Sequence, residues 1–220
     1  MATNLAAPLS MARWHTLLAV MEVVFGPALL CAPSFVVYNV ALNTTTKLQP
    51  LPSTVYAYGI TILGTDVLVG GGWNNPSLQT TCWLYTASVN KWSRTSLPSL
   101  PVAIAWMPMI TLQCNGQSPL VWYSHYWPYV FGGYHGGYTV LNTVYTLSPN
   151  ATRWTQRTSM PQTLWYHTAV ALPVNTEALV CGGEVTATEQ ESIQSQCYTY
   201  TIHNVCVIMQ AVVPEQWREQ

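Results

Sequence analysis

Short apolar runs alternate with polar turns along almost the whole chain, and no helical period of hydrophobic positions is sustained anywhere. The clearest stretch is residues 129–161, which begins with an apolar run and continues through runs around Tyr145 and Trp154. Turn residues separate these runs, beginning with the pair Gly132 and Gly133. Short strands joined by tight turns are typical of antiparallel sheets. The pattern therefore predicts an all-β protein.

The same order of landmarks recurs before and after this stretch, so the stretch is one copy of a repeat. A copy holds an apolar strand, a glycine pair at its end, a strand with a tyrosine, and then a tryptophan and a proline. The glycine pairs and aromatic landmarks of the three clearer copies are Gly71, Gly72, Tyr85, Trp92, Gly132, Gly133, Tyr145, Trp154, Gly182, Gly183 and Tyr200. Similar first strands begin near Ala12, Val55, Ala103 and Trp165.

Four units follow from these landmarks, with boundaries near Pro52, Pro101 and Pro161. Repeats of roughly 40 to 60 residues with four short strands are typical of β-propeller blades. The predicted blades are residues 11–52, 53–101, 102–161 and 162–214, with tails of residues 1–10 and 215–220.

The order of glycine pair, tyrosine, tryptophan and proline resembles the kelch repeat family over nearly the whole chain, most closely in residues 102–161. The resemblance implies an all-β propeller of four-stranded antiparallel blades. The first unit departs from it by lacking the glycine pair, and the last has Cys206 and Val207 in place of the tryptophan. Rings of this family usually hold more than four blades. Three arrangements therefore stay open: a compact four-blade ring, a fragment of a ring, or an open arc that pairs with another copy.

Aromatic and asparagine residues have predicted structural roles in each unit. A buried Trp or Tyr ring suits a seam between blades, where its N–H or O–H finds a partner. Asn tolerates left-handed turn conformations, so we expect it in the hairpin turn between the third and fourth strands. It follows the tyrosine by five residues in the pairs Tyr38 and Asn43, Tyr85 and Asn90, and Tyr145 and Asn150.

The apolar run of residues 16–37 has two interpretations. One is a signal peptide, because a basic residue precedes the run and small residues follow. The other is strand structure of the first unit, because the sequence around His15 matches that around His167, and because Glu22 and Pro27 interrupt the run and count against a signal peptide. We favour strands, and we do not expect a membrane span.

Composition narrows the choice of partners. Only 7% of the 220 residues are charged, and seven basic and eight acidic side chains give a net charge of −1. Binding to a phosphate backbone draws its affinity from basic side chains, so nucleic acid is not an expected partner.

The six cysteines do not form a CxxC pair, so no zinc site is expected. Free buried thiols that pack as small apolar residues are the predicted state. The alternative is a disulfide between Cys181 and Cys197 across adjacent strands. The sequons at Asn43 and Asn150 fit turn chemistry, and the compartment stays open between cytoplasmic and secreted.

No catalytic constellation is visible. The sequence contains no HExxH, GxSxG or phosphate-loop motif, and no cofactor is expected. The repeat equivalence of His15 and His167 favours structural roles for both. We therefore predict a non-enzymatic protein-interaction module that presents loops on one propeller face.

The loops that follow the glycine pairs and those between blades hold the predicted binding residues. These are Trp73, Asn74, Tyr134, His135, Tyr138, Trp165 and Tyr166. For each of them, packing onto its own blade is the competing interpretation. Residues 122–127 form a second, dense aromatic patch, which either contacts a partner or covers a blade edge.

The partner predicted for these loops is another protein of unknown identity, and self-association is an alternative if the ring is incomplete. A glycan is the other possible class of ligand. The chain would then be a lectin, or an enzyme that resembles galactose oxidase, with Trp73, Tyr134 and Tyr138 stacking on sugar rings.

Overall fold

A computed structural model of the protein describes residues 17–24, 32–39, 42–94, 96–113, 126–148, 152–173, 176–188, 192–203 and 206–212. Strands and connecting turns make up these ranges, and no helix occurs within them. The prediction of an all-β chain is confirmed for this part of the protein.

The described strands form four antiparallel sheets of three or four strands and one separate two-stranded hairpin. Sheet 1 contains β1 (Leu17–Val24), β2 (Ala32–Asn39) and β3 (Thr44–Lys47). Sheet 2 contains β4 (Gly59–Leu63), β5 (Asp66–Gly70), β8 (Cys82–Thr86) and β9 (Lys91–Ser93). The separate hairpin consists of β6 (Trp73–Asn74) and β7 (Ser77–Leu78), and it lies between β5 and β8 in the chain. Sheet 3 contains β10 (Met109–Gln113), β11 (Tyr126–Gly136), β12 (Thr139–Thr146) and β13 (Thr155–Arg157). Sheet 4 contains β14 (Thr168–Ala171), β15 (Glu177–Cys181), β16 (Cys197–His203) and β17 (Cys206–Val212).

Sheet 1 differs from the four-stranded unit predicted for residues 11–52. Its described residues form three strands, because β1 pairs directly with β2 over all eight residues of each strand. The β2 strand carries Tyr38 and therefore corresponds to the third strand of the other sheets. The apolar run thus contributes one long hairpin, and the prediction of strands within it is confirmed for β1 and β2.

The glycine pair of sheet 3 lies inside a strand, which corrects the prediction that it closes the strand. The β11 strand continues through Gly132 and Gly133 to Gly136, with an irregular register on β12 at two places. Gly132 and Gly133 lie at the first irregularity, with φ of 51° and 103°, and Gly136 lies at the second, with φ of 95°. Glycine adopts such positive φ values without strain. Trp154, predicted inside the last strand of this unit, lies immediately before β13.

Apolar side chains fill the space between consecutive sheets. Leu68 and Leu100 of the second unit pack with Val130 and Trp154 of the third in one buried cluster. A second buried cluster joins sheets 3 and 4 and contains Phe131 among other fully buried residues. The first strands β4, β10 and β14 also lie next to one another in succession. The sheets therefore stack in chain order and share their cores with the next sheet.

Two tryptophans tie their sheets to the preceding unit, as predicted for the seams. Trp92 Nε1 donates a hydrogen bond to the carbonyl oxygen of Gln49 (2.8 Å). Trp154 Nε1 donates one to the carbonyl oxygen of Pro98 (3.0 Å). A buried indole therefore keeps its polar atom satisfied while its ring fills the space between sheets.

The predicted asparagine turns are confirmed in the first two units. Asn43 and Asn90 have left-handed backbones, with φ of 51° and 52°. Each accepts a hydrogen bond on Oδ1 from the hydroxyl group of the tyrosine five residues earlier, Tyr38 (2.6 Å) or Tyr85 (2.8 Å). The third predicted turn residue, Asn150, lies outside the described residues.

The prediction of free thiols is wrong for one pair of cysteines. Cys181 and Cys197 lie directly opposite each other on β15 and β16, with Cα atoms 4.1 Å apart, and form a disulfide. Direct cross-strand register brought the two sulfur atoms together, which sequence separation alone does not reveal. Cys82 is buried and free, as predicted, and its burial raises the pKa of the thiol to about 12. Cys31 and Cys114 lie outside the described residues.

Candidate functional site

Sheets 2, 3 and 4 are each preceded by a short segment that we name the lead-in segment. The three lead-in segments are residues 56–58, 105–107 and 165–167. The middle residue of each has a left-handed backbone: Ala57 (φ 54°), Trp106 (φ 53°) and Tyr166 (φ 56°). Left-handed backbone is uncommon for residues other than glycine and is a genuine outlier for bulky ones. Its recurrence at one repeat position means that the architecture of these units requires it.

The residue that follows each glycine pair is paired with the first residue of its lead-in segment. In sheet 4, the N–H groups of Trp165 and Glu184 each donate to the carbonyl oxygen of the other (3.0 and 2.9 Å). Partners in such an antiparallel bridge direct their side chains to the same side. The three bridges are Tyr56 with Trp73, Ala105 with Tyr134, and Trp165 with Glu184.

The second glycine of each pair makes these bridges possible. A Cβ on Gly133 would lie 2.8 Å from Met107 Cβ and 2.9 Å from the carbonyl oxygen of Ala105. A Cβ on Gly183 would lie 2.5 Å from the carbonyl oxygen of Trp165. Only a residue without a side chain allows the loop backbone to approach the lead-in segment this closely.

Backbone hydrogen bonds also join the lead-in segments to one another. Trp106 N–H donates to the carbonyl oxygen of Ala57 (2.8 Å), and Tyr166 N–H donates to the carbonyl oxygen of Trp106 (3.1 Å). The three left-handed residues therefore lie side by side, one from each of three consecutive units. Their side chains emerge at the end of the sheets that holds the glycine pairs.

Six aromatic side chains meet at this end, and we name them the aromatic cluster. Trp106 occupies its centre, with ring centroids 5.5 Å from Tyr166, 5.8 Å from Trp165 and 5.8 Å from Tyr134. The Trp106 ring also contacts Trp73 at 6.0 Å and Tyr56 at 6.3 Å. Several of these pairs are edge-to-face or tilted, as aromatic rings prefer. The cluster comprises Tyr56, Trp73, Trp106, Tyr134, Trp165 and Tyr166.

The aromatic cluster is partly open to solvent. Five of its side chains are half-buried, and Tyr166 has 54% of its surface exposed. Trp165 Nε1 donates to the carbonyl oxygen of Thr186 (2.9 Å), which fixes that ring against the loop after Gly183. The rings therefore form an anchored surface that presents aromatic faces and edges to solvent.

The aromatic cluster contains four of the seven predicted binding residues: Trp73, Tyr134, Trp165 and Tyr166. The other three are not members of it. Asn74 accepts a hydrogen bond from Thr54 Oγ1 (3.2 Å), and the exposed His135 donates from Nδ1 to the carbonyl oxygen of Ala103 (2.7 Å). Tyr138 lies in the turn between β11 and β12 and is 74% exposed.

The sequence analysis did not identify three residues at the end of the sheets that carries the aromatic cluster, although their positions in the repeat indicated them. Trp106 is equivalent to Tyr166, which was among the predicted residues. Tyr56 is equivalent to Trp165 in the same way. Glu184 occupies the position of Trp73 and Tyr134, immediately after the glycine pair. A position-by-position alignment of the units would have identified all three.

The third residue of each lead-in segment lies beneath the surface. These three residues are Tyr58, Met107 and His167, and the last two are buried. Burial raises the pKa of the Tyr58 phenol to about 12. Burial likewise lowers the pKa of His167 to about 4, while the backbone of Phe131 acts weakly in the other direction. His167 is therefore a neutral packing residue at neutral pH, in agreement with the structural role predicted for it.

Neither a metal-binding cluster nor a membrane-spanning helix occurs in the described part of the chain. Among the described residues, no group of three or more His, Cys, Asp or Glu side chains could hold a metal ion. Within the same residues, no helix is long and apolar enough to cross a membrane. Most of the aromatic patch predicted at residues 122–127 lies outside the described ranges, which begin again at Tyr126.

Comparison with protein families and curated proteins gives no match. No protein-family model matches the sequence, and no curated protein matches it at a significant level. Evidence on function therefore comes from the repeated sheets and the aromatic cluster.

Proposed function

We propose that the chain is a kelch-like β-propeller, or part of one, and that it acts as a non-enzymatic protein-interaction module. Consecutive antiparallel sheets that share buried cores, with β4, β10 and β14 adjacent in order, support this architecture. The contact surface is the end of the sheets that carries the aromatic cluster.

The single observation that carries the proposal is the convergence of rings from three units on Trp106. Tyrosine and tryptophan are enriched at the energetic centres of protein interfaces, because they bury a large area at a small cost in side-chain entropy. Backbone bridges and glycine contacts hold these rings in place before any partner arrives. Such preorganisation lowers the entropy cost of binding.

The two histidines with described side chains do not form nucleophile–base pairs. His135 bonds to a backbone carbonyl group, and no described side chain forms a hydrogen bond with the buried ring of His167. Catalysis by a Ser–His or Cys–His pair needs the base within hydrogen-bond reach of the nucleophile. These two histidines therefore fit structural roles.

A carbohydrate ligand is the second candidate, favoured by one observation. The exposed Tyr166 ring lies beside Trp165, with centroids 4.5 Å apart, and Glu184 is close enough to act on the Tyr166 phenol electrostatically. Aromatic faces can stack on the apolar side of a sugar ring, and a carboxylate can accept hydrogen bonds from its hydroxyl groups.

Site-specific photo-crosslinking tests the proposal. A photoreactive phenylalanine analogue replaces Tyr166 in one protein and Val89 in another. The two native side chains have similar exposure, 54% and 59%, but Val89 lies in the turn between β8 and β9, at the opposite end of sheet 2. Each protein is irradiated in an extract of the source cells.

The expected result is a discrete protein adduct from position 166 and none of that mass from position 89. Adducts of equal yield from both positions would refute a contact surface at the aromatic cluster. Adducts at position 166 that disappear when a free sugar is added would instead support a carbohydrate ligand.

A further inference from the structure

Among the residues that directly follow a glycine pair in the sequence, Glu184 alone is charged. The equivalent residues of sheets 2 and 3 are Trp73 and Tyr134, both members of the aromatic cluster. The antiparallel bridge directs the Glu184 side chain to the same side as that of Trp165. A carboxylate therefore takes the place of a ring at the edge of the aromatic cluster.

This carboxylate lacks a cation of its own among the described residues. Glu184 is half-buried, and no described side chain forms an ion pair with it. The described basic residues lie in or beside the last strands of sheets 1 to 3, away from the lead-in segments. They are Lys47, Lys91, Arg94, Arg153 and Arg157.

The rings add to the negative potential that Glu184 creates. The face of an aromatic ring carries partial negative charge and attracts cations placed over it. Tyr166 already responds to this environment: partial burial raises the pKa of its phenol, and the negative charge of Glu184 raises it further. The Trp106 side chain acts on the same pKa in the opposite direction.

We propose that the aromatic cluster and Glu184 together bind a cationic side chain, a lysine in a basic segment of a partner protein. This inference rests on the proposed function and names the chemistry of its partner. The ammonium group would lie against the exposed ring of Tyr166 and the half-buried ring of Trp165, with Glu184 as its counter-ion.

A cation fits this surface better than the other occupants do. An anionic segment would meet the carboxylate and the ring faces with repulsion. A purely apolar segment would bury Glu184 without a partner, which costs far more than leaving it in water. An ammonium group satisfies the carboxylate and gains the attraction of the rings at once.

The test compares two small probes that differ in charge but not in shape. Choline carries a quaternary ammonium group, and 3,3-dimethylbutan-1-ol is its neutral isostere. Each probe is titrated into the full chain, and the indole N–H signals of Trp73, Trp106 and Trp165 are followed by NMR. We expect saturable shifts of these signals with choline and about tenfold weaker binding of the neutral alcohol.

A matched pair of variants identifies the counter-ion. Glu184→Gln keeps the size and hydrogen-bonding capacity of the side chain but removes its charge. Glu177→Gln does the same at the opposite end of sheet 4, where Glu177 accepts a hydrogen bond from Thr201. We expect Glu184→Gln to weaken choline binding about tenfold and Glu177→Gln to leave it unchanged.

A lysine peptide, its trimethylated form and a glycine peptide of equal length then define the physiological cation. Binding of either lysine peptide that is lost in Glu184→Gln supports the proposal, and the ratio between them reports any preference for methylation. Equal binding of choline and the neutral alcohol, or no effect of Glu184→Gln, would overturn it. The photo-crosslinking experiment at position 166 does not depend on cation binding. A partner that cross-links there although the cation tests fail would show a contact surface without a preference for cations, whereas failure of both would show that there is no contact surface.

Discussion

Sheets 3 and 4 share a backbone design but differ in the side chains that it carries. Both have a left-handed lead-in residue, Trp106 or Tyr166, and both have a glycine that lies against the lead-in segment. Sheet 3 then carries a tyrosine after its glycine pair and a methionine below it, whereas sheet 4 carries Glu184 and a buried histidine. The shared backbone belongs to the fold, and the differing side chains are where a specific function can reside.

The largest expected effect comes from breaking the shared backbone. Gly133→Ala places a Cβ against Met107 and the carbonyl oxygen of Ala105, at a φ of 103°. We expect a loss of about 4 kcal/mol in the free energy of unfolding, measured in urea, because backbone atoms cannot move aside. Gly137→Ala is the control, since its φ is 55° and nothing lies within 4 Å of the new Cβ.

The control should lose only about 1 kcal/mol, the cost of a left-handed alanine. Equal losses in the two glycine variants would mean that the close approach of loop and lead-in segment does not exist in solution.

The second prediction concerns the third strands of sheets 2 and 4, where Cys82 and Cys197 hold equivalent positions. The double variant Cys181→Ala, Cys197→Ala opens a loop with a sequence separation of 16 residues. We expect it to lose about 3 kcal/mol of unfolding free energy, chiefly because the unfolded chain gains freedom. Cys82→Ala should lose only about 1 kcal/mol, the cost of one small buried group. Similar losses at the two positions would contradict the presence of the disulfide.

The third prediction is that the free energy of unfolding depends on pH through His167, whereas its equivalent, Met107, does not titrate. The folded-state pKa of about 4 lies below the ordinary value of about 6.5, so the unfolded chain binds the proton first. The contribution to stability is therefore complete above pH 6.5 and is lost as the pH falls toward 4. Between pH 7 and pH 5 we expect a loss of about 2 kcal/mol in the free energy of unfolding.

The variant His167→Met copies the residue of sheet 3 and should remove this part of the acid sensitivity. Urea unfolding at the two pH values provides the measurement. An unchanged pH dependence in the variant would show that His167 is accessible to protons in the folded state.

The smallest effect should come from Ala57, the left-handed residue of sheet 2. Ala57→Gly should raise the free energy of unfolding by about 0.5 to 1 kcal/mol, because glycine adopts this backbone without strain. Ala105→Gly is the control and should be destabilising, because Ala105 is fully buried in a regular bridge. Thermal unfolding resolves the opposite signs, and destabilisation by both changes would argue against a strained Ala57.

Much of this architecture was predictable because local chemistry determines it. Glycine pairs, turn asparagines and seam tryptophans each have a physical reason that acts within a few residues, and the sequence displays them at regular intervals. Asn90 is an example whose predicted turn role the structure bears out, whereas Gly133 has a positive φ but lies inside β11 and not at its end. The all-β class followed from the same signals.

The errors concern relations between distant segments. The disulfide of Cys181 depends on the register of β15 on β16, and the three-stranded form of sheet 1 depends on which strand pairs with β2. The central position of Trp106 arises only when lead-in segments of different units lie side by side. The sequence offered the Cys181–Cys197 pair only as an alternative, because it does not determine strand register. An alignment of the units against one another would have indicated the equivalence of Trp106 and Tyr166.

The convergence of three units on Trp106 is the central claim, and NMR contacts between assigned tryptophan rings test it most directly. Single Trp→Phe changes assign the indole signals of Trp73, Trp106 and Trp165, and nuclear Overhauser effects are then recorded on the unaltered chain. Ring centroids 6.0 Å and 5.8 Å from Trp106 predict contacts from the Trp106 ring to both Trp73 and Trp165. Contacts to neither ring, with the β-sheet signals intact, would contradict the aromatic cluster and the function proposed for it.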